Sequence, residues 1–358
     1  MLRIIVDYIV GLKDHKPHKH LSLILKTSLA QVYDIRFNHQ ATEMIMYDEV
    51  LHKIHNLLLS INDRTIVSPR NYWQDKSTDT TILEDLLVGN YKCVNKKDRL
   101  DLKHAKLALE TLAKYHAASV VLKGTEPDLY DNLTSGVLTR ENKGTHDFLL
   151  RHYYTLLDLI SGWSNYDYYL KKLKKLQDNL IVKCLEVYDP DSDFNVLVHG
   201  DFRSSNMMFK YDRDGSPTSV IFVDFQHTNW KSPVIDLLYF IHTSLKEELR
   251  LEKQDELIQH YHNILWETLV DRFKYNGKVP TLHELQVTIL KKSMHIVTSG
   301  LLLQPLYLLD ENINSDMRII ASTDETGVQF RKAMYNNPAV IDAIRNLLPY
   351  LDTKGILD

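Results

Sequence analysis

The chain has 358 residues, 44% hydrophobic and 25% charged, the balance of a globular protein rather than a disordered or fibrous one. Its net charge of −4 excludes a nucleic-acid binder that works through a broad basic surface. Two cysteines, Cys93 and Cys184, lie far apart, which predicts free thiols in a reducing, cytoplasmic setting rather than a disulfide framework.

No stretch reaches the roughly 18 uninterrupted apolar residues of a membrane span. The longest candidate, residues 296–309, is broken by Ser299, Gly300, Gln304 and Pro305. Met1 to Val10 does not read as an export signal, because Asp7 interrupts it and no small-residue cleavage site follows; Leu2 to Val10 reads as a strand. Leu21 to Lys26 is a second β-prone run, and the polar segment His15 to His20 reads as a solvated turn between them. His18 and His20 lack further ligand groups at metal-site spacing. Glu43 to Leu58 follows a helical period, with Ile45, Met46, Val50, Ile54 and Leu57 on one side. Thr80 to Leu86 is a short strand ending in Glu84-Asp85-Leu86.

Helices dominate from about residue 100. Asp101 to Val121 carries a stripe of Leu102, Ala105, Leu109, Leu112, Ala113 and His116, the last read as a core histidine with a hydrogen bond. Phe148 to Tyr188 reads as another long helical region. A strand pair, Val196 to His199 and Val220 to Asp224, breaks the pattern, and helices resume from Ile235.

The segment from Val196 to Phe209 is the richest in chemistry. An apolar strand delivers His199-Gly200-Asp201, Asn206 follows five positions after the aspartate, and the strand ending at Val223 leads into Asp224-Phe225. Phosphoryl transfer asks a protein mainly for positioning and charge neutralisation. Asp201 can orient the attacking hydroxyl and take its proton. Magnesium takes oxygen ligands and keeps several waters, so Asn206 and Asp224 suffice to hold it. Upstream, Lys26 ends an apolar strand and Glu43 opens the next helix, the order of a lysine–glutamate pair that grips the phosphates of ATP. As plain turn formers, Asp212, Asp214 and Gly215 are well explained. The spaced set Asp201, Asn206 and Asp224 is not.

These motifs resemble the choline kinase and aminoglycoside kinase group, whose fold is that of protein kinases. Finer features are similar to the ecdysteroid-kinase-like (CHK-like) proteins: Leu83-Glu84-Asp85-Leu86, Tyr115-His-Ala-Ala-Ser119, Val223-Asp-Phe-Gln226, Ser232-Pro-Val-Ile-Asp236 and the tail around Leu348 to Asp358. The resemblance implies an α+β, two-lobed protein-kinase-like fold. Residues 1–86 would form a small β-rich N-lobe, and residues 87–358 a large helical C-lobe carrying the catalytic loop 196–226. It implies that Asp201 is the base, that Asn206 and Asp224 hold Mg2+, and that Glu84 and Leu86 meet adenine at a hinge. His199 would orient the loop and Asp236 would brace its backbone. Gly200 and Gln226 match small-molecule kinases rather than protein kinases.

The implied substrates are ATP and a small alcohol, an ecdysteroid or another hydroxylated lipophilic compound. Trp163, Tyr166, Tyr168, Trp230 and Tyr239 are the aromatic candidates for its cleft. Relatives carry a phosphate-covering hairpin ahead of the strand that precedes the lysine strand. Here Gly11 is the only glycine before Lys26, so the chain reads as N-terminally truncated, with loose ATP binding and slow turnover expected. The alternatives are a pseudokinase that binds without chemistry, and a choline- or sugar-type kinase with a polar pocket.

Overall fold

The computed structural model describes residues 1–9, 18–27, 39–95, 97–133, 136–189, 194–309 and 317–358. The architecture is mixed α+β: a small antiparallel sheet with one bent helix comes first, and a mainly helical body follows.

Four strands, β1 (Leu2–Ile9), β2 (His18–Thr27), β3 (Asn71–Asp75) and β4 (Thr80–Glu84), form a sheet in the order β1-β2-β4-β3. Val10 and most of the polar turn expected after it lie outside the described residues. Side chains alternate across a strand, so Ser22, Ile24 and Lys26 of β2 share one face. Ile24 packs on the core, which sends Ser22 and Lys26 toward the interior as well. The sequence reading passed over β3, a five-residue strand with only a partly buried face.

The predicted helix at 43–58 runs longer and is not uniform. It consists of α1 (His39–Ile45), a π turn (Met46–Val50) and α2 (Leu51–Ser60). Glu43, Met46, Tyr47, Val50, Ile54 and Leu58 are buried, and they fix which side faces the sheet and the body.

The body opens with α3 (Leu102–Thr125), where Asp101 caps the first turn by accepting the His104 N–H at 3.0 Å. Its five alanines give high helix propensity and allow close packing on α9 (Gln254–Trp266). The helical region expected at 148–188 consists of three helices: α4 (Lys143–Ser161), α5 (Asp167–Leu176) and α6 (Leu180–Val187).

The expected pairing of 196–199 with 220–224 is corrected. Strand β5 (Val196–Val198) pairs with β8 (Asn229–Lys231), whereas β6 (Met207–Tyr211) pairs with β7 (Pro217–Phe222). The turn at Asp212 to Ser216 makes β6 and β7 a local hairpin, which leaves β5 free for the later strand.

Helix α7 (Val234–Ser244) is buried along its whole length, as an all-round apolar sequence requires. Helices α8 (Glu247–Arg250), α10 (Leu282–Lys291), α11 (Met294–Ile296), α12 (Gln304–Tyr307), α13 (Met317–Ala321), α14 (Glu325–Tyr335) and α15 (Pro338–Thr353) complete the body, with π turns at Glu267–Arg272 and Val297–Leu303. No helix among the described residues is long and apolar enough to cross a membrane. Both cysteines are free.

One carboxylate ties the end of α2 to the body. Asp63 is 6% exposed and accepts from the Thr65 N–H at 2.9 Å, the Thr65 hydroxyl at 2.6 Å and the Arg272 guanidinium at 2.6 Å. Lys114 of α3 lies 3.4 Å away. Burial alone would raise the Asp63 pKa; the Thr65 and Arg272 donors and the Lys114 charge outweigh it and bring it to about 2. A depressed carboxylate stabilises the fold above its unfolded value of about 4, and the contribution is lost as pH falls toward 2. Partial solvent screening holds it to about 1–2 kcal/mol. Asp63→Asn is therefore expected to lower the urea midpoint at pH 6, and the gap to wild type should narrow between pH 4 and 2.5. A gap that stays constant across that window would remove Asp63 as its source.

Candidate active site

Two short backbone segments carry the candidate residues. The first runs from the end of β5 through His199, Gly200 and Asp201 to a 3-10 turn at Ser204–Asn206. Gly200 has φ +79, and a Cβ there would stand 2.3 Å from the His227 carbonyl oxygen, so glycine is required twice over. The Asp236 carboxylate, in the first turn of α7, accepts the His199 N–H at 2.7 Å and the Gly200 N–H at 3.0 Å. His199 bridges the two segments: Nε2 donates to the Val223 carbonyl at 3.1 Å, and Nδ1 accepts the Asp201 N–H at 3.3 Å. With both ring nitrogens committed to backbone, His199 orients the loop.

Asp201 is 7% exposed and its carboxylate is saturated. Arg203 Nε donates to Oδ1 at 2.9 Å and Oδ2 at 3.1 Å, the Tyr239 hydroxyl to Oδ1 at 2.9 Å, and Asn206 Nδ2 to Oδ2 at 2.8 Å. Burial pushes its pKa up, but the positive charge of Arg203 outweighs that and leaves it lowered, so Asp201 is ionised at neutral pH. Burial also lowers the pKa of His227, which lies within electrostatic range of both Asp201 and Asp224 and is neutral at pH 7.

The second segment is the end of β7. Asp224 adopts the left-handed region, φ 70 and ψ 62. Its carboxylate takes a hydrogen bond from Lys26 at 2.7 Å, and Lys26 also meets Glu43 Oε1 at 2.8 Å. Burial alone would lower the Lys26 pKa; Glu43 and Asp224 outweigh it and leave it raised, so the ammonium stays charged. Glu43 is 3% exposed, and its pKa is raised by burial in spite of Lys26. The segments are joined where the Val223 N–H donates to the Asn206 carbonyl at 3.0 Å.

The structure thus forms two clusters: Asp201 with Asn206, and Lys26 with Glu43 and Asp224. The oxygen donors on the two, an amide on Asn206 and a carboxylate on Asp224, are of the types a divalent cation takes. Asn206 has committed its amide nitrogen to Asp201, which leaves its oxygen as the atom to offer a cation, and Lys26 already supplies positive charge at Asp224. No group of three or more His, Cys, Asp or Glu suited to a metal occurs among the described residues, so waters and phosphate oxygens would supply the remaining ligands.

The expected hinge residues do other work as well. Glu84 exchanges main-chain and side-chain bonds with Arg70, and the carbonyl of buried Leu86 accepts the N–H groups of Gly89 and Tyr91 at 3.1 Å. Asp85, between them, accepts from Ser22 at 2.7 Å and Arg3 at 2.8 Å and pins the segment to β2 and β1.

Of the aromatic candidates, Tyr239 reaches Asp201 and Trp230 stacks on Tyr130 at 5.3 Å. Trp163 and Tyr168 pack on α15 instead, under Arg345 and against Asp352. Tyr166 meets Trp163 edge to face, with ring centroids 5.0 Å apart. Arg203 and Tyr307 went unread in the sequence. Arg203, two residues after Asp201, carried a local signal, whereas Tyr307 carried none.

A family model for the ecdysteroid kinase-like family matches residues 1–274. The chain belongs to that family. Membership bears out the resemblance to ecdysteroid-kinase-like proteins that the motifs carry. Solved structures similar to it include an ethanolamine kinase of Plasmodium vivax, at 14% identity and TM-score 0.39, covering 95% of this chain and 84% of that one. A choline kinase of Streptococcus pneumoniae is 11% identical with TM-score 0.35, covering 95% and 89%. An aminoglycoside phosphotransferase of Alicyclobacillus acidocaldarius is 12% identical with TM-score 0.40, covering 93% and 87%. No curated protein matches the sequence.

Gly200→Ala tests the loop geometry directly. The clash with the His227 carbonyl and the positive φ together should cost roughly 2–4 kcal/mol. Gly215→Ala, also at positive φ but with open space around it, should cost less than half of that. Equal denaturation midpoints for the two variants would refute the close approach of residues 200 and 227.

Proposed function

We propose that this protein is an ATP- and Mg2+-dependent kinase of a small alcohol, an ecdysteroid or another hydroxylated lipophilic compound. The observation that carries the reading is the Lys26 ammonium. It joins Glu43, 17 residues away, to Asp224, 198 residues away, beside a loop whose one buried carboxylate is Asp201. On this reading residues 1–86 form the lobe that grips nucleotide, and residues 87–358 form the lobe that carries the loop and the acceptor cleft.

Lys26, held by Glu43, would meet the α- and β-phosphates, and backbone groups at Glu84 and Leu86 would meet adenine. Asn206 and Asp224 would hold Mg2+, which when bound neutralises charge on the β- and γ-phosphates. The acceptor oxygen bonds to the γ-phosphorus as the bond to the β–γ bridging oxygen breaks. ADP leaves with that oxygen, and Asp201 receives the acceptor's proton. His199 and Asp236 hold the loop and touch no substrate.

A second reading is favoured by one observation: both oxygens of Asp201 are already taken by Arg203. A protein that binds nucleotide but leaves Asp201 closed would be a pseudokinase.

ADP release against a panel of an ecdysteroid, a lipophilic phenol, choline and an aminoglycoside separates the readings. The kinase reading expects Mg2+-dependent ADP release with a lipophilic alcohol and its abolition by EDTA. Asp201→Asn should lower kcat roughly 10²–10⁴-fold with little change in ATP binding. Lys26→Ala should mainly raise the KM for ATP. Nucleotide binding without turnover on any acceptor would favour the pseudokinase, and failure to bind Mg-ATP would overturn both.

A further inference from the structure

The surroundings of Asp201 contain the parts of a cation site, and the protein fills that site itself. A carboxylate beside aromatic faces attracts quaternary and primary ammonium groups. Here the Asp201 carboxylate has the Tyr239 hydroxyl on Oδ1, and the Tyr239 and Tyr307 hydroxyls are 2.5 Å apart. The Arg203 guanidinium lies 4.5 Å from the Tyr307 ring centroid while its Nε chelates both oxygens of Asp201. Its Nη1 is further fixed by the Ser205 hydroxyl.

The narrow crevice beside this pair is lined by Arg99, Arg203, Thr243, Tyr307, Leu308 and two neighbouring serines, with no acidic residue. Arg99 is itself held by Glu247 at 3.2 Å. A positively charged acceptor would therefore find the carboxylate neutralised, the ring face covered and a second guanidinium at the wall.

We propose that Arg203 is a specificity-determining residue that occupies the cation site formed by Asp201 and Tyr307, so that the acceptor carries no positive charge. The proposal rests on the kinase reading only for the word acceptor; the exclusion of cations is a binding property. Tyr307 lies beyond the residues that the family model matches, so the pair is a feature of this chain rather than of that match. An uncharged hydroxyl has only to displace one of the two Nε contacts to reach Asp201. An ammonium has to displace the whole guanidinium.

The test is titration calorimetry with choline on the full chain, run beside a Mg-ATP titration. Wild type should show no choline binding up to millimolar concentrations. Arg203→Gln keeps a donor for Asp201 but uncovers the ring and removes the charge, and it should bind choline at least tenfold more tightly than wild type. Arg203→Ala should do the same, and adding Tyr307→Leu should remove the gain. Arg203→Lys, which keeps the charge, should gain nothing. With an uncharged alcohol as acceptor, Arg203→Gln should change the KM ratio of choline to that alcohol, a shift that a merely structural arginine would not produce.

Choline binding by wild type overturns the proposal, and that measurement decides even where a variant fails to fold. So does a folded Arg203→Gln with no gain. Loss of Mg-ATP binding in wild type would instead count against the kinase reading, and leaves the choline result to be judged on its own.

Discussion

The arrangement depends on one buried negative charge, the carboxylate of Asp236. It has no exposed surface, sits in the first turn of α7 where the helix dipole favours an anion, and accepts two consecutive N–H groups of the candidate catalytic loop. His116 Nε2 donates to it from α3 at 3.2 Å, so the other ring nitrogen accepts the Tyr261 hydroxyl of α9 at 2.7 Å. Burial lowers the His116 pKa, which keeps the ring neutral, and the Asp236 carboxylate, able only to accept, fixes the tautomer. A buried carboxylate is costly unless its lone pairs are met, and here three donors meet them. The loop therefore inherits its position from three helices rather than from its own turn residues.

Charge is arranged in the same economical way at the two clusters. Lys26 serves Glu43 and Asp224 together, so that cluster carries one net negative charge when all three are ionised. Arg203 and Asp201 balance one another. On the proposed reading, the residual negative charge of the first cluster would attract a dication more strongly than the balanced Arg203–Asp201 pair does.

What could be read in the sequence was what local chain chemistry specifies. His199 to Asn206 and Asp224 fall within two turns, and their spacing survives folding because each turn is short. Lys26 and Glu43 were legible from their order, a strand end followed by a helix start. The pairing of β5 with β8 was not, because a three-residue strand has no periodicity to match against a partner some 30 residues away. The aromatic residues near 163–168 misled for a related reason. A helix pattern shows which face is apolar but not which helix that face will meet, and here it is α15. Tyr307 had no signal at all, since only tertiary packing brings α12 against α7.

The strain at Asp224 shows how packing supports a conformation that the local sequence disfavours. A non-glycine residue in the left-handed region costs about 1–3 kcal/mol. The next residue, Phe225, is fully buried, a burial worth roughly 2–3 kcal/mol. Its ring lies 5.8 Å from Tyr47 of the π turn, 6.1 Å from Tyr115 of α3 and 4.8 Å from His199. Relaxing Asp224 to an ordinary extended conformation would swing Phe225 out of that nest and break the Lys26 contact at once. Tyr47 and Glu43 lie one helical turn apart, so the same ring also sets how closely the Glu43 helix approaches the strand end. That helix and Asp224 are thus tied together twice, by the packing of Phe225 on Tyr47 and by the Lys26 ammonium that holds Glu43 and Asp224 at once.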